Sequence, residues 1–167
     1  IDNKLQYDDH ISDICKKVSH KIHALARVSH IKDDEKLCVP MKAFIKSQFS
    51  YCPLVWIFHN RTLNNRINRL HERALRLVYK DNTSSFDELL NKDGSFSIHD
   101  RALQKLATEL YKVKYNLSPT FMQGIFPLSG NSYDLRHDTE FRSNSIKTVY
   151  HGTDTIAFQG PKVWSRV

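Results

Sequence analysis

The sequence predicts a mainly α-helical protein, a helical bundle followed by a smaller α+β region with a short β-hairpin. Three long segments carry apolar residues at steps of three and four, which is the spacing of an amphipathic helix. Near the end of the chain, β-prone runs at 146–150 and 155–158 flank a Gly-containing turn. With 167 residues, 40% of them hydrophobic, the chain is large enough to bury a core.

The first helix is predicted over residues 9–30, with Asp8 or Asp9 as its cap. Its apolar face consists of Ile11, Ile14, Val18, Ile22 and Leu25. The opposite face is basic and rich in histidine, with Lys16, His20, His23, Arg27 and His30. One side of this helix is therefore expected to pack and the other to face solvent or an anion.

A second helix is predicted to begin at residues 33–35 or just after Pro40. It is apolar on nearly every side up to Phe58, which predicts that it is buried. Pro53 is expected to bend or break it, because proline removes a backbone donor and clashes with the preceding turn.

The third helix, predicted over 62–79, carries two parallel stripes. The apolar stripe is Leu63, Ile67, Leu70, Ala74 and Leu77. The basic stripe, about a quarter turn away, is Arg66, Arg69, Arg73, Arg76 and Lys80. The chain has a net charge of +7, and Glu72 is the one acidic residue within this helix. Because arginine suits bidentate phosphate contacts, the stripe predicts a polyanionic partner.

A polar stretch at 81–85 predicts a boundary between domains 1–81 and 82–167. Beyond it, Ser85 is expected to cap a short helix to residue 90, and Ser97 a long one to about residue 116. The inward face of the long helix is predicted to be Ile98, Ala102, Leu106, Leu110 and Val113. A last helix is expected to start at Pro161.

No active site is evident. In Tyr7-Asp8-Asp9, Gln6 stands where the aromatic of a polymerase metal-binding turn belongs, so we interpret the pair as a helix start. His20 and His23 lie between like charges that oppose a metal cation. No catalytic residue, metal ligand or cofactor is therefore predicted in this chain.

The cysteine count and the hydropathy indicate the compartment in which the protein is found. Cys15, Cys38 and Cys52 form no close pair, which argues against a disulfide framework and indicates an intracellular protein of the nucleus or cytoplasm. No apolar run is long enough to span a bilayer, so no membrane partner is expected. The chain begins with Ile1 rather than Met, which suggests a fragment.

Several strings resemble the region that follows the palm in non-LTR (LINE-type, jockey-like) retrotransposon reverse transcriptases. They are Ile1-Asp2-Asn3-Lys4-Leu5, His10-Ile11, Met41-Lys42-Ala43-Phe44, residues 47–56, residues 64–76, residues 85–90, and Gly152, Pro161 and Trp164. The match is densest over 64–76 and covers nearly the whole chain. Pro40 departs from it, because the family usually has a helix former there.

The resemblance implies that residues 1–81 are similar to a thumb, a helical bundle that grips template and primer, and that 82–167 are a connecting region. The polymerase carboxylates and their Mg²⁺ would precede Ile1, so the fragment would bind RNA or an RNA–DNA duplex, and the rest of the reverse transcriptase, without catalysis. The expected nucleic-acid-binding residues are Arg66, Arg69, Arg73, Arg76, Lys80, Lys16 and Arg27. The alternative is a helical protein-interaction or assembly module that meets an acidic partner.

Overall fold

The structure, a computed structural model, describes residues 7–30, 34–56, 58, 61–129, 141–142, 145, 152–153 and 155–166. The described chain is mainly helical, as predicted. It divides into two compact units, Ile1–Arg101 and Ala102–Val167, and the division falls inside a helix rather than after residue 81. The predicted thumb-like character of residues 1–81 stays a prediction.

The described residues form a series of helices. In chain order they are α1 (Asp8–Val28), α2 (Asp34–Pro40), a π-helical segment (Met41–Lys46), α3 (Ser47–Ser50), α4 (Pro53–Trp56), α5 (Arg61–Tyr79), α6 (Phe86–Asp93), α7 (Ile98–Lys114), α8 (Thr120–Ile125) and α9 (Ile156–Trp164). In the first unit α5 packs against α1, α2, the π-helical segment and α6, which makes it the central helix of that unit.

Helix α1 buries the face that its periodicity predicts. All five residues of the predicted apolar face are buried, together with Cys15. The predicted cap is wrong: Tyr7 occupies the N-cap position in the left-handed conformation, and no side chain caps the helix there. Asp8 and Asp9 lie in the first turn instead, where a negative charge is favourable beside the positive end of the helix dipole.

The second helix begins at Asp34, and Pro40 does not interrupt it. Helical backbone continues from α2 through the π-helical segment into α3. Pro40 has no N–H to donate to the turn before it, and the wider π-helical turn follows directly. The predicted break at Pro53 is confirmed, because Tyr51 is extended, Cys52 has a φ of 42°, and α4 starts at Pro53.

Helix α5 has the predicted length but is rotated relative to the predicted apolar stripe. Ile67 and Ala74 of that stripe are buried, whereas Leu63, Leu70 and Leu77 are only half-buried. The other buried positions are His71, Leu75 and Val78. At 3.6 residues per turn the buried face is therefore roughly opposite the arginine stripe, instead of a quarter turn from it.

The helices after α5 begin where their capping residues predict. The Ser85 hydroxyl accepts the Glu88 N–H and the Glu88 carboxylate accepts the Ser85 N–H, a capping box that starts α6. The Ser97 hydroxyl accepts the Asp100 N–H at 3.1 Å at the start of α7. The predicted inward face of α7 is confirmed, since all five of its residues are buried.

The core of the second unit is built on aromatic contacts. Phe141 packs edge-on against Phe126 and Trp164, with ring centroids 6.5 Å and 5.4 Å apart. Gly160 of α9 brings its backbone close to the Phe126 ring and to Leu110. Among the described residues, strand-like pairing is limited to one antiparallel bridge between Leu128 and Phe141.

The predicted hairpin is wrong in its second half, and residues 146–150 lie outside the described residues. Thr155 is the extended N-cap of α9, and its carbonyl accepts the N–H groups of Phe158 and Gln159 at 3.1 Å and 2.9 Å. The last helix therefore begins at Ile156 rather than at Pro161. Four apolar or β-prone residues suit either a strand or a buried helical turn, and the packing of Gly160 on Phe126 favours the helix.

Candidate nucleic-acid interface

Three exposed arginines lie on one face of α5. Arg66, Arg69 and Arg73 are exposed on the side of the helix opposite the buried residues. Arg66 donates to the Ser12 hydroxyl at 3.4 Å. Within the described part of the chain, no carboxylate lies at ion-pair distance from Arg69 or Arg73. Such arginines can receive an external anion without first breaking an internal pair.

Arg76 differs from these three because its guanidinium is occupied. Its Nε and Nη2 donate to Glu72 Oε1 at 3.1 Å and 2.7 Å, and further bonds reach the carbonyls of Asp81 and Ser84 at 3.3 Å and 2.9 Å. Arg76 therefore fastens the turn that connects α5 to α6. Lys80 is exposed just beyond the end of α5, with a φ of 50°.

The turn held by Arg76 is also organised by Asp81. Backbone N–H groups of Ser84 and Thr83, together with the Ser84 hydroxyl, donate to its carboxylate at 2.7–3.0 Å. These donors, the Ser84 N–H first, hold the pKa of Asp81 well below its usual range. The polar stretch that suggested a domain boundary is thus an ordered turn.

Helix α1 contributes the other two predicted basic residues. Lys16 lies 3.7 Å from Asp13, and both side chains are mostly exposed, so water screens the pair. Arg27 is exposed in the last turn of α1.

A groove between α1 and α5 brings three of the predicted residues together. Its volume is about 310 Å³, and its lining consists of Cys15, Lys16, Ser19, His20, Arg66, Arg69 and Leu70. No carboxylate belongs to that lining. Burial raises the pKa of the Cys15 thiol, an effect that the nearby Arg66 charge only partly opposes, so the thiol stays neutral. The groove is therefore a positively charged recess.

The remaining predicted residues lie outside this groove. Arg73 and Arg27 are exposed elsewhere on α5 and α1, and neither Arg76 nor Lys80 belongs to the lining. Lys16, Arg66 and Arg69 therefore share one groove, whereas Arg27, Arg73, Arg76 and Lys80 lie outside it.

A buried polar cluster escaped the sequence analysis. Asp93 has a fully buried side chain that accepts hydrogen bonds from Lys46 Nζ at 2.5 Å and the Tyr79 hydroxyl at 3.0 Å, while Lys42 Nζ lies 3.8 Å away. Burial alone would raise the pKa of Asp93, but the bond to Lys46 and its charge lower it overall. Lys46 was recognisable in the sequence as a charged residue in a helix with apolar residues on nearly every side.

His71 lies in the same core and was also missed. It is completely buried, its ring packs edge-on against Phe86 at 5.6 Å, and neither ring nitrogen has a hydrogen-bond partner. Burial, reinforced by the positive charge of Lys46, lowers its pKa to about 4. Its spacing from Ile67, Ala74 and Val78 was the available signal.

Among the residues that the structure describes, searches for metal ligands and for membrane spans gave negative results, and so did searches for similar proteins. Within the described residues, no three His, Cys, Asp or Glu side chains come together as metal ligands. No helix in the described part of the chain is long and apolar enough to cross a bilayer. The chain matches no protein-family model, no curated protein and no solved structure.

Proposed function

We propose that the protein grips the backbone of RNA or an RNA–DNA duplex, as a non-catalytic, thumb-like part of a non-LTR retrotransposon reverse transcriptase. The observation that carries the proposal is the exposed arginine face of α5, formed by Arg66, Arg69 and Arg73. Neighbouring positive charges that have no carboxylate partner repel one another, and phosphate groups relieve this repulsion. The retrotransposon assignment rests on the sequence resemblance.

The contacts would be to phosphates rather than to base edges. Arginine and lysine contacts to the backbone set register and orientation but carry no sequence information. Lys16, which shares the groove with Arg66 and Arg69, and Arg27, which is exposed on α1, would add contacts, whereas Arg76 contributes to the α5–α6 turn instead. With five such contacts, the logarithm of affinity should fall against the logarithm of salt concentration with a slope of roughly −3.5 to −4.5.

The test is fluorescence anisotropy with a labelled RNA–DNA hybrid, titrated at several salt concentrations. We expect the double charge reversal R69E/R73E to weaken binding by roughly a hundredfold and to flatten the salt slope. R142E/R166E is the matched control: each Arg→Glu change removes two charges, so both double variants go from +7 to +3. Equal losses in the two variants, or a salt-insensitive complex, would contradict the proposal.

The alternative is a helical interaction module with an acidic protein partner, in which the same arginines would meet carboxylates. Large apolar side chains exposed on the first unit favour a protein partner: Val39 is 70% exposed, Phe44 61% and Tyr51 73%. A pull-down that persists after nuclease treatment, and is lost with R69E/R73E, would favour this alternative.

A further inference from the structure

We infer that the groove between α1 and α5 binds a single phosphate group, held between Lys16 and His20 on one helix and Arg66 and Arg69 on the other. The inference deepens the proposed function and rests on it for the source of the phosphate. It names one place on the basic surface where the group is enclosed from two sides, rather than contacted by one helix face.

The charge of the lining selects an anion. Lys16, Arg66 and Arg69 have cationic side chains, and the imidazole of His20 has a ring N–H that can donate. No lining residue is acidic. Asp13 pairs with Lys16 at 3.7 Å, but both groups are exposed, so a phosphate in the groove can displace this carboxylate at little cost.

The set of donors in the lining suits a tetrahedral oxyanion. Arginines presenting planar sets of N–H donors favour multidentate contacts with phosphate oxygens. A long hydrogen bond of 3.4 Å joins Arg66 Nη1 to the Ser12 hydroxyl of α1. The Ser19 hydroxyl adds a neutral donor on the wall formed by α1.

The volume and the apolar lining of the groove limit the size of the group attached to the phosphate. A volume of about 310 Å³ is near the lower end of small-molecule sites, enough for a phosphate and an adjoining sugar. Cys15 and Leu70 provide an apolar part of the lining, and the neutral thiol adds no opposing charge. The group could belong to an internal phosphodiester or to a terminal phosphomonoester, which share this chemistry.

The experiment uses the full chain, labelled with ¹⁵N, and inorganic phosphate as the probe. We expect saturable chemical-shift changes at the His20 ring and at the Arg66 and Arg69 side chains, with the Arg73 and His23 signals unmoved. Chloride at equal ionic strength is the control for general screening. Shifts spread evenly over all basic residues, or no saturation, would overturn the inference.

A variant isolates the groove. Ser19→Glu places a carboxylate in the lining and should weaken phosphate binding at least roughly tenfold. Ala24→Glu adds the same charge at an exposed position of α1 outside the lining, and should bind phosphate as the parent does. Unchanged circular dichroism verifies that both variants fold, and equal phosphate affinity in the two would overturn the inference.

The source of the phosphate is resolved with short single-stranded RNAs that carry a 5′-phosphate or a 5′-hydroxyl. Stronger groove shifts with the 5′-phosphate assign a terminal phosphomonoester, and equal shifts assign the backbone; absence of groove shifts with both would overturn the inference. The proposed function is judged separately, by duplex affinity of R69E/R73E against R142E/R166E. If the protein binds the duplex but phosphate causes no localised shifts, only the phosphate site is refuted. If phosphate binds saturably but the duplex does not bind, only the proposed function is refuted.

Discussion

The burial of His71 makes the stability of the folded protein depend on pH. In the unfolded chain its imidazole titrates near its ordinary pKa of 6.5, whereas in the folded protein the pKa is lowered to about 4. Between these two values the unfolded state binds more protons than the folded state. Stability therefore rises with pH in this window and is lost as pH falls from 6.5 toward 4.

We expect the free energy of unfolding to fall by about 3 kcal/mol between pH 7 and pH 4 on account of His71, from about 1.4 kcal/mol per unit of pKa shift. His71→Phe should remove most of that dependence, because it leaves no proton to bind. Urea denaturation at several pH values measures the effect. His23→Phe, the same change at an exposed position of α1, is the matched control; a His71→Phe profile as steep as the parent's would contradict the prediction.

The packing of helix α9 depends on the close approach of its backbone at Gly160 to the Phe126 ring. A Cβ added at Gly160 would stand 2.6 Å from Cε1 of the buried Phe126 ring and 3.4 Å from a methyl carbon of Leu110. Gly160→Ala should therefore cost about 1–3 kcal/mol through overpacking. The measurement is a thermal melt.

Gly124→Ala is the matched control for this change. Gly124 lies in α8, and a Cβ there would meet no atom within 4 Å. Alanine should be neutral or stabilise by about 0.5–1 kcal/mol, because it loses less backbone entropy than glycine in a helix. Equal melting temperatures for the two variants would mean that α9 does not pack as described.

Arg76 stabilises the turn between α5 and α6, whereas Arg69 is exposed and available for binding. Arg76→Ala removes hydrogen bonds to Glu72, Asp81 and Ser84, and should lower the free energy of unfolding by about 1–3 kcal/mol. Its effect on hybrid affinity, measured by anisotropy, should be small. Arg69→Ala should do the reverse, weakening affinity with little effect on stability, and the opposite ranking would refute this division of roles.

At the scale of the whole molecule, the two units offer separate reporters of unfolding. The chain has two tryptophans: Trp56 is buried in the first unit, where it donates to the Tyr51 carbonyl at 3.0 Å, and Trp164 packs on Phe141 in the second. The first unit is longer, and larger units bury a greater fraction of their surface. We expect Trp56 fluorescence to report a higher urea midpoint than Trp164 fluorescence, measured in Trp164→Phe and Trp56→Phe respectively. Coincident midpoints would indicate a single cooperative block.

Local sequence signals predicted the elements well where one chemical group decides the outcome. Ser85 and Ser97 marked the starts of α6 and α7, because their hydroxyls satisfy backbone donors that lie within three residues. The break at Pro53 follows equally from the proline itself. The run at 155–158 was misread because its residues suit a strand or a helix, and packing against Phe126 lies outside the local sequence.

The helical class, the length of α5 and the row of arginines along it could be predicted from the residues alone, since they depend on spacing and local hydrogen bonding. The rotation of α5 depends on its packing against other helices, and that packing leaves Arg66, Arg69 and Arg73 exposed while it buries His71. The tertiary structure also decided that Arg76 turns back to Glu72 and that Lys16 joins Arg66 and Arg69 at one groove. The physical reason is that rotation and juxtaposition depend on which neighbouring helices cover each face, and those neighbours are distant in the chain.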